Sequence, residues 1–104
     1  QAIQFMLADM KTSIEASRML TWKSAADADA GIKNTESAAH AKRFAADTAM
    51  QVSTDAVQVY GGYGYSEEYP VARLMRAAKV MQIYEGSSQV QRMIIGREII
   101  KNLR

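Results

Sequence analysis

Apolar residues recur at steps of three and four along most of the chain, which is the spacing of one face of an α-helix. In the first third the stripe comprises Ile3, Met6, Leu7, Met10, Ile14 and Leu20. We predict one long amphipathic helix that ends near Gly31, because glycine commonly follows the last turn of a helix. The stripe is already under way at Gln1 with no capping residue ahead of it, so we expect the natural chain to start earlier, with a further helix in front.

A second stripe is built from small residues: Ala38, Ala41, Ala45, Ala49, Val52, Ala56 and Val59. Asn34 or Thr35 can cap the start of this helix, and the pair Gly61-Gly62 can end it. Small side chains allow a neighbouring helix to pack closely against this one. Residues 61–66 contain three glycines, so we predict a turn there rather than a helix.

Two shorter helices are predicted in the last third of the chain. Pro70 suits the first turn of a helix that carries Val71 and Leu74. Ser88, with Gln91 three residues later, matches a capping box and predicts a helix from Gln89 to about residue 103. The apolar stripe of that last helix is too wide for one face, so we expect one of its flanks to contact another chain or domain. The pattern as a whole predicts an all-α antiparallel helical bundle that assembles further.

Composition narrows the functional classes. With 104 residues, the chain has the length of a single domain, residues 1–104. Its net charge of +2 is spread along the sequence, which makes nucleic acid an unlikely partner. There is no cysteine and only one histidine, His40, so we expect no metal centre, disulfide or thiol nucleophile. No apolar stretch is long enough to insert into a membrane, and we expect a soluble protein.

The strongest chemical signal is a single carboxylate, Glu85, between the aromatic Tyr84 and the bare backbone of Gly86. It lies just ahead of the predicted last helix, where the positive end of the helix dipole favours a negative group. Glycine at position 86 lets a ligand approach the backbone closely. Glu85 is therefore either a structural cap or a catalytic base, and Glu-Gly-Ser-Ser is also ordinary linker chemistry between two helices.

Four motifs in order resemble the C-terminal helical domain of acyl-CoA dehydrogenases. They are Gln58-Val59-Tyr60-Gly61-Gly62-Tyr63-Gly64-Tyr65, then Glu68-Tyr69-Pro70-Val71, then Arg76-Ala77-Ala78-Lys79, then Ile83-Tyr84-Glu85-Gly86-Ser87-Ser88-Gln89-Val90-Gln91-Arg92. The similarity extends over essentially the whole chain and is nearest to the medium- and short-chain enzymes. It implies a four-helix-bundle domain whose first helix is missing here, within a larger three-domain subunit.

The resemblance implies FAD-dependent α,β-dehydrogenation of an acyl-CoA thioester to a trans-2-enoyl-CoA. Glu85 would remove the α-proton, and Gly86 and Tyr84 would contact the substrate. The residues implied to contact FAD are Gln1, Gln58, Val59, Tyr60, Gly61, Gly62, Ser87, Ser88 and Gln89. Electron-transferring flavoprotein is the implied electron acceptor and a homotetramer the implied assembly. The implied compartment is the bacterial cytoplasm or, in a eukaryote, the mitochondrial matrix.

Two departures from the family pattern and two rival functions remain open. Ala77 stands where most relatives carry aspartate, which puts a local ion pair in doubt, and Ser87 replaces the usual threonine. A carboxylate at position 85 argues against the isovaleryl- and long-chain-type branches and favours short or medium straight-chain substrates. The alternatives are a non-catalytic helical oligomerisation module and an acyl-CoA oxidase that passes electrons to oxygen.

Overall fold

The computed structural model describes residues 1–104 as five helices without a β-strand. The helices are α1 (Ala2–Asp29), α2 (Thr35–Tyr60), α3 (Gly62–Tyr65), α4 (Pro70–Met81) and α5 (Ser88–Asn102). The predicted all-α fold is thus confirmed, and the four expected helices lie where the hydrophobic pattern places them. Pro70 occupies the first turn of α4, as its missing N–H and fixed φ angle favour.

Helix α2 is the centre of the molecule, because α1, α3, α4 and α5 all pack against it. Helices α4 and α5 do not pack on each other. Helix α4 lies antiparallel along the second half of α2: the Tyr69 ring lies 5.8 Å from that of Tyr60. Helix α5 lies antiparallel along the first half, where Lys33 Nζ is 2.9 Å from Glu98 Oε2. Helices α4 and α5 therefore lie end to end along α2, and the gap between them lies beside the middle of α2.

The predicted turn over residues 61–66 is wrong, because Gly62–Tyr65 form the one-turn helix α3. Gly61 ends α2 with a φ of 62° and a ψ of −141°, a conformation that is essentially restricted to glycine. The chain then turns back, and the Gly64 N–H donates to the Gly61 carbonyl over 2.9 Å. A Cβ on Gly64 would lie 2.3 Å from the Val57 carbonyl oxygen. Glycine there allows α3 to rest directly on the backbone of α2.

The predicted cap of α5 is displaced by one residue. Ser87, not Ser88, is the N-cap, and its Oγ accepts the Val90 N–H over 3.3 Å. Gln91 does not complete a capping box; its Nε2 donates to the Gly86 carbonyl over 3.0 Å. At the start of α2, Asn34 holds the N-cap position without a capping side-chain bond, and it donates instead to the Ser24 carbonyl.

The molecule is elongated and buries little of its apolar surface. Its radius of gyration is 16.2 Å, against about 13 Å for a compact domain of this length. Only 11 residues are buried, and the buried apolar ones are small: Ala39, Ala41, Ala46, Val71 and Ala78. Large side chains such as Trp22 and Met93 are 60% and 65% exposed. None of the helices is long and apolar enough to cross a bilayer.

Candidate active site

The segment between α4 and α5, residues 82–87, carries Glu85 and is named here the Glu85 loop. A hydrogen bond of 3.0 Å from the Ser88 N–H to the Gln82 carbonyl ties its two ends together. The loop therefore projects as a closed unit from the interruption between the two short helices. Glu85 is exposed on it, while Gly86 and Ser87 are half-buried.

The backbone of Glu85 adopts a left-handed conformation, with a φ of 54°, and no other non-glycine residue of the chain has a positive φ. The next residue, Gly86, has a φ of 87°. A left-handed conformation costs an L-residue with a Cβ about 1–2 kcal/mol. A Cβ on Gly86 would also lie 2.6 Å from Gln91 Nε2. Strain of this kind persists where the surroundings hold it, and it is concentrated at functional sites.

Tyr84 is fixed on the side of the loop that faces α2. Its hydroxyl lies 3.0 Å from Met81 Sδ, and Lys42 Nζ lies 5.5 Å from the centre of its ring. The Lys42 ammonium also donates to the Met81 carbonyl at the end of α4. Tyr84 and Met81 also line an apolar groove of about 650 Å³, together with residues of α1 and α2. The alanine stripe of α2, including Ala38, Ala45 and Ala49, lines this groove.

Beneath the loop, the carboxylate of Asp47 in the middle of α2 joins the end of α4 to the start of α5. Its Oδ1 accepts hydrogen bonds from Gln82 Nε2 at 2.9 Å and from Ser88 Oγ at 2.8 Å. Its Oδ2 lies 3.6 Å from an Arg92 nitrogen and 3.9 Å from Arg43 Nε. Burial raises the pKa of Asp47, but the two hydrogen bonds and the two arginines together outweigh it and leave the pKa below its ordinary value.

Sequence reasoning did not single out Asp47. One signal was present: an acid at position 47 interrupts a run of alanines, Ala45, Ala46 and Ala49, that lines a packing face. A carboxylate among small apolar residues needs polar partners. Those partners lie 35 and 41 positions away in the sequence, so the pattern alone does not identify them.

The residues predicted to bind a cofactor fall into two groups that the fold keeps apart. Ser87, Ser88 and Gln89 lie at the start of α5, whereas the segment from Gln58 to Gly62 ends α2 and begins α3. Measured along the axis of α2, Gln58 is about 16 Å beyond Asp47. Gln1 is the N-cap of α1, which runs antiparallel to α2, with Asp9 and Met10 beside the segment of α2 up to Asp55. Gln1 therefore lies closer to the second group.

Within each group some backbone is open to a ligand and some is already engaged. The Gln89 N–H has no acceptor within the chain, because it lies in the first turn of α5, where N–H groups have no partner in the helix. No atom lies within 4 Å of a Cβ built on Gly61 or Gly62. In contrast, the Ser88 hydroxyl is buried against Asp47. Its side chain is thus committed to the loop rather than directed outward.

Comparison with known proteins assigns the chain to a family. Residues 1–100 match the sequence pattern of the acyl-CoA dehydrogenase C-terminal domain. A cyclohexane-1-carbonyl-CoA dehydrogenase of Geobacter metallireducens is 54% identical over 101 residues, which are 97% of this chain and 27% of that protein. The chain thus spans about a quarter of the length of such relatives.

Solved structures agree with the sequence match. The butyryl-CoA dehydrogenase of Megasphaera elsdenii superposes with a TM-score of 0.94 at 57% identity, covering 96% of this chain and 26% of that one. A chain in a structure described as the electron transferring flavoprotein of Acidaminococcus fermentans gives a TM-score of 0.95 at 52% identity, covering 97% of this chain and 27% of that one. The match over residues 1–100 shows that this chain belongs to the acyl-CoA dehydrogenase family, as a C-terminal domain.

Proposed function

We propose that this chain supplies the catalytic base of an FAD-dependent acyl-CoA dehydrogenase, which converts an acyl-CoA thioester to a trans-2-enoyl-CoA. The observation that carries the proposal is the geometry of Glu85. Glu85 is exposed on a loop and has a left-handed backbone, next to Gly86 and to Tyr84, which lines an apolar groove. Strained backbone conformations are concentrated at active sites and ligand-binding sites, and this favours a catalytic base over a structural cap.

Glu85 would act on the α-carbon of the thioester. The α-proton becomes removable when the neighbouring carbonyl is polarised, and a carboxylate held beside it can accept the proton as the C–H bond breaks. Gly86 would contact the thioester through its backbone, since Gln91 occupies the side where a Cβ would stand. The Tyr84 ring offers an apolar contact to the acyl chain. A positioned base of this kind contributes about 10²–10⁴ to the rate.

The residues present fit an FAD group in two places. The unpaired Gln89 N–H at the positive end of α5 suits an electron-rich polar ring system, with Ser87 beside it. The open backbone of Gly61 and Gly62 lets the nucleotide part approach closely, with Gln58, Val59, Tyr60 and Gln1 nearby. Bound FAD would supply the acceptor for the hydride that leaves the β-carbon. Because the two groups are about 16 Å apart along α2, they fit separate parts of an elongated cofactor or two cofactors in an oligomer.

Substrate, electron acceptor and assembly follow from the relatives and remain proposals. A short or medium straight-chain acyl-CoA fits the butyryl-CoA dehydrogenase likeness, and a cyclic acyl-CoA is the competitor that the Geobacter relative suggests. We propose electron-transferring flavoprotein as electron acceptor, in keeping with the Acidaminococcus likeness. We propose a homotetramer as the assembly; the exposed apolar surface of α1 and α5 supports contact with another chain or domain.

The test is anaerobic flavin bleaching by straight-chain acyl-CoAs of graded length and by cyclohexane-1-carbonyl-CoA. It uses the full-length flavoprotein that carries this domain, beside its Glu85→Gln variant. We expect one length range to bleach the parent flavin. Glu85→Gln should keep flavin and acyl-CoA bound but slow bleaching about 10²-fold or more, because the amide accepts no proton.

The other outcomes separate the alternatives. Parent-like bleaching by Glu85→Gln would refute the assignment of the base. A protein without flavin would indicate a helical oligomerisation module, and rapid reoxidation of the reduced flavin by oxygen would indicate an oxidase.

A further inference from the structure

We propose that Asp47 is a positioning residue, whose carboxylate fastens both ends of the Glu85 loop to the middle of α2 and so fixes where the Glu85 carboxylate points. The inference rests on the proposed function of Glu85 as a base. It concerns a residue on a different helix, which does not itself reach the substrate.

Asp47 binds both ends of the Glu85 loop through one carboxylate oxygen. One oxygen, Oδ1, accepts from Gln82 at the last turn of α4 and from Ser88 at the first turn of α5, over 2.9 Å and 2.8 Å. These two donors are also the residues whose backbones are joined by the 3.0 Å bond from the Ser88 N–H to the Gln82 carbonyl. A single atom on α2 therefore holds both ends of the loop, in addition to the loop's own closure.

The second oxygen of Asp47 keeps the carboxylate turned toward the loop. Arg92 of α5 and Arg43, one turn earlier on α2, lie 3.6 Å and 3.9 Å from Oδ2. Their charges and the two hydrogen bonds hold the pKa of Asp47 below its ordinary value, despite partial burial. Asp47 thus remains ionised at neutral pH, and it acts as an acceptor rather than as a proton carrier.

The loop needs such a restraint because its backbone is strained. The left-handed φ angle of Glu85 is kept only where surrounding contacts determine the path of the chain. Gln91 holds the middle of the loop through the Gly86 carbonyl at 3.0 Å, and Asp47 holds the ends. Without Asp47, Gln82 and Ser88 lose their common anchor and the Glu85 carboxylate becomes less well placed. A misplacement of about 1 Å can cost about 10²-fold in rate.

Three substitutions in the full-length flavoprotein separate the contributions. Asp47→Ala removes the acceptor of the hydrogen bonds from Gln82 and Ser88. Asp47→Asn keeps an oxygen that can accept from both Gln82 and Ser88 but removes the charge. Asp55→Ala is the matched control, because Asp55 lies two turns further along α2 and is bound only by Gln51 of the same helix.

Three quantities are measured on each variant. They are the rate of flavin reduction at saturating acyl-CoA, the dissociation constant of that acyl-CoA, and the rate of amide hydrogen exchange in residues 82–88. For Asp47→Ala we expect reduction to slow about tenfold or more, with acyl-CoA binding changed by less than about threefold. Its loop amides should exchange about tenfold faster. Asp47→Asn should recover most of both losses, and Asp55→Ala should behave as the parent.

The proposal is overturned if Asp47→Ala reduces flavin at the parent rate with unchanged loop exchange, or if Asp55→Ala produces equal losses. Should Asp47→Ala fail to fold, Gln82→Ala and Ser88→Ala each release one end of the Glu85 loop from Asp47. Hydrogen exchange and flavin reduction at the parent rates in both of these variants would also overturn the proposal. A parent protein that no acyl-CoA reduces would refute the proposed function. The hydrogen exchange data would still decide whether Asp47 holds the loop.

Discussion

At the scale of single residues, the site depends on the backbone conformation of Glu85 as much as on its charge. A side chain with a left-handed φ of 54° points in a direction that an ordinary loop residue does not reach. The sequence indicates a chemically important carboxylate at this position, because an aromatic residue and a glycine flank it. It does not indicate the conformation, which depends on contacts that Gly86, Gln91 and Asp47 make in the folded chain.

The strain at Glu85 predicts a difference in stability between two variants. Glu85→Gly should be more stable than Glu85→Ala by about 1 kcal/mol, because glycine adopts a positive φ without a Cβ clash. Urea unfolding followed by circular dichroism measures the difference. Asp9, on the exposed surface of α1, is the control: Asp9→Gly should be less stable than Asp9→Ala by about 1 kcal/mol. The same sign at both positions would contradict a strained Glu85.

At the scale of elements, the fold is decided by how closely helices approach α2. Helix α2 packs against α1, α4 and α5, and its buried apolar residues are the small Ala39, Ala41 and Ala46. Gly64 lets α3 rest on the last turn of α2. The glycine-rich segment therefore has a packing role that composition alone did not reveal. Glycines predict a turn by their conformational freedom, whereas here Gly64 is required for the space it leaves empty.

This packing predicts a contrast between two neighbouring glycines. Gly64→Ala should destabilise the protein by about 1–3 kcal/mol, because its Cβ would meet the Val57 carbonyl at 2.3 Å. Gly62→Ala should be neutral or slightly stabilising, since no atom lies within 4 Å of the new Cβ and alanine favours a helix. The urea midpoint of each variant measures the effect. Equal midpoints for the two would show that α3 does not depend on close contact with α2.

At the scale of the whole molecule, charged side chains connect elements that share little apolar core. Lys33 and Lys101 both donate to Glu98, which links the turn after α1 to the end of α5.

Four carboxyl groups have pKa values below their ordinary ones: Glu15, Asp27, Asp47 and Glu98. For Glu15, hydrogen bonds from Lys11 and Arg18 lower the pKa to about 2.

These lowered pKa values predict a loss of stability in acid. The unfolded chain binds the protons more tightly, with ordinary values of 3.8 for aspartate and 4.5 for glutamate. The contribution of these groups is therefore complete above about pH 5 and is lost as the pH falls toward about 2. Urea midpoints at a series of pH values measure it. Constant midpoints across this window would contradict the prediction, and about 1 M salt should reduce the loss for the exposed Glu15.

Local patterns in the sequence determined the four longer helices, their approximate ends and the position of the candidate base. Those features depend on side-chain periodicity and on the φ preferences of glycine and proline, which act over a few residues. The match of residues 1–100 then confirmed the family that the motifs resemble. The wide apolar stripe of α5 leaves Met93 and Ile100 65% and 57% exposed, and the contact of this flank with another chain or domain stays a prediction.

Only the tertiary structure decided how the loop that carries the candidate base is held. The N-cap of α5 is Ser87 and not the predicted Ser88, because Gly86 turns the chain just before α5. The Ser88 hydroxyl is therefore free to donate to Asp47. Asp47 meets Gln82 and Ser88 across 35 and 41 positions, through the packing of three helices. Such meetings depend on how rigid helices pack side by side, and no periodicity within a single helix encodes them.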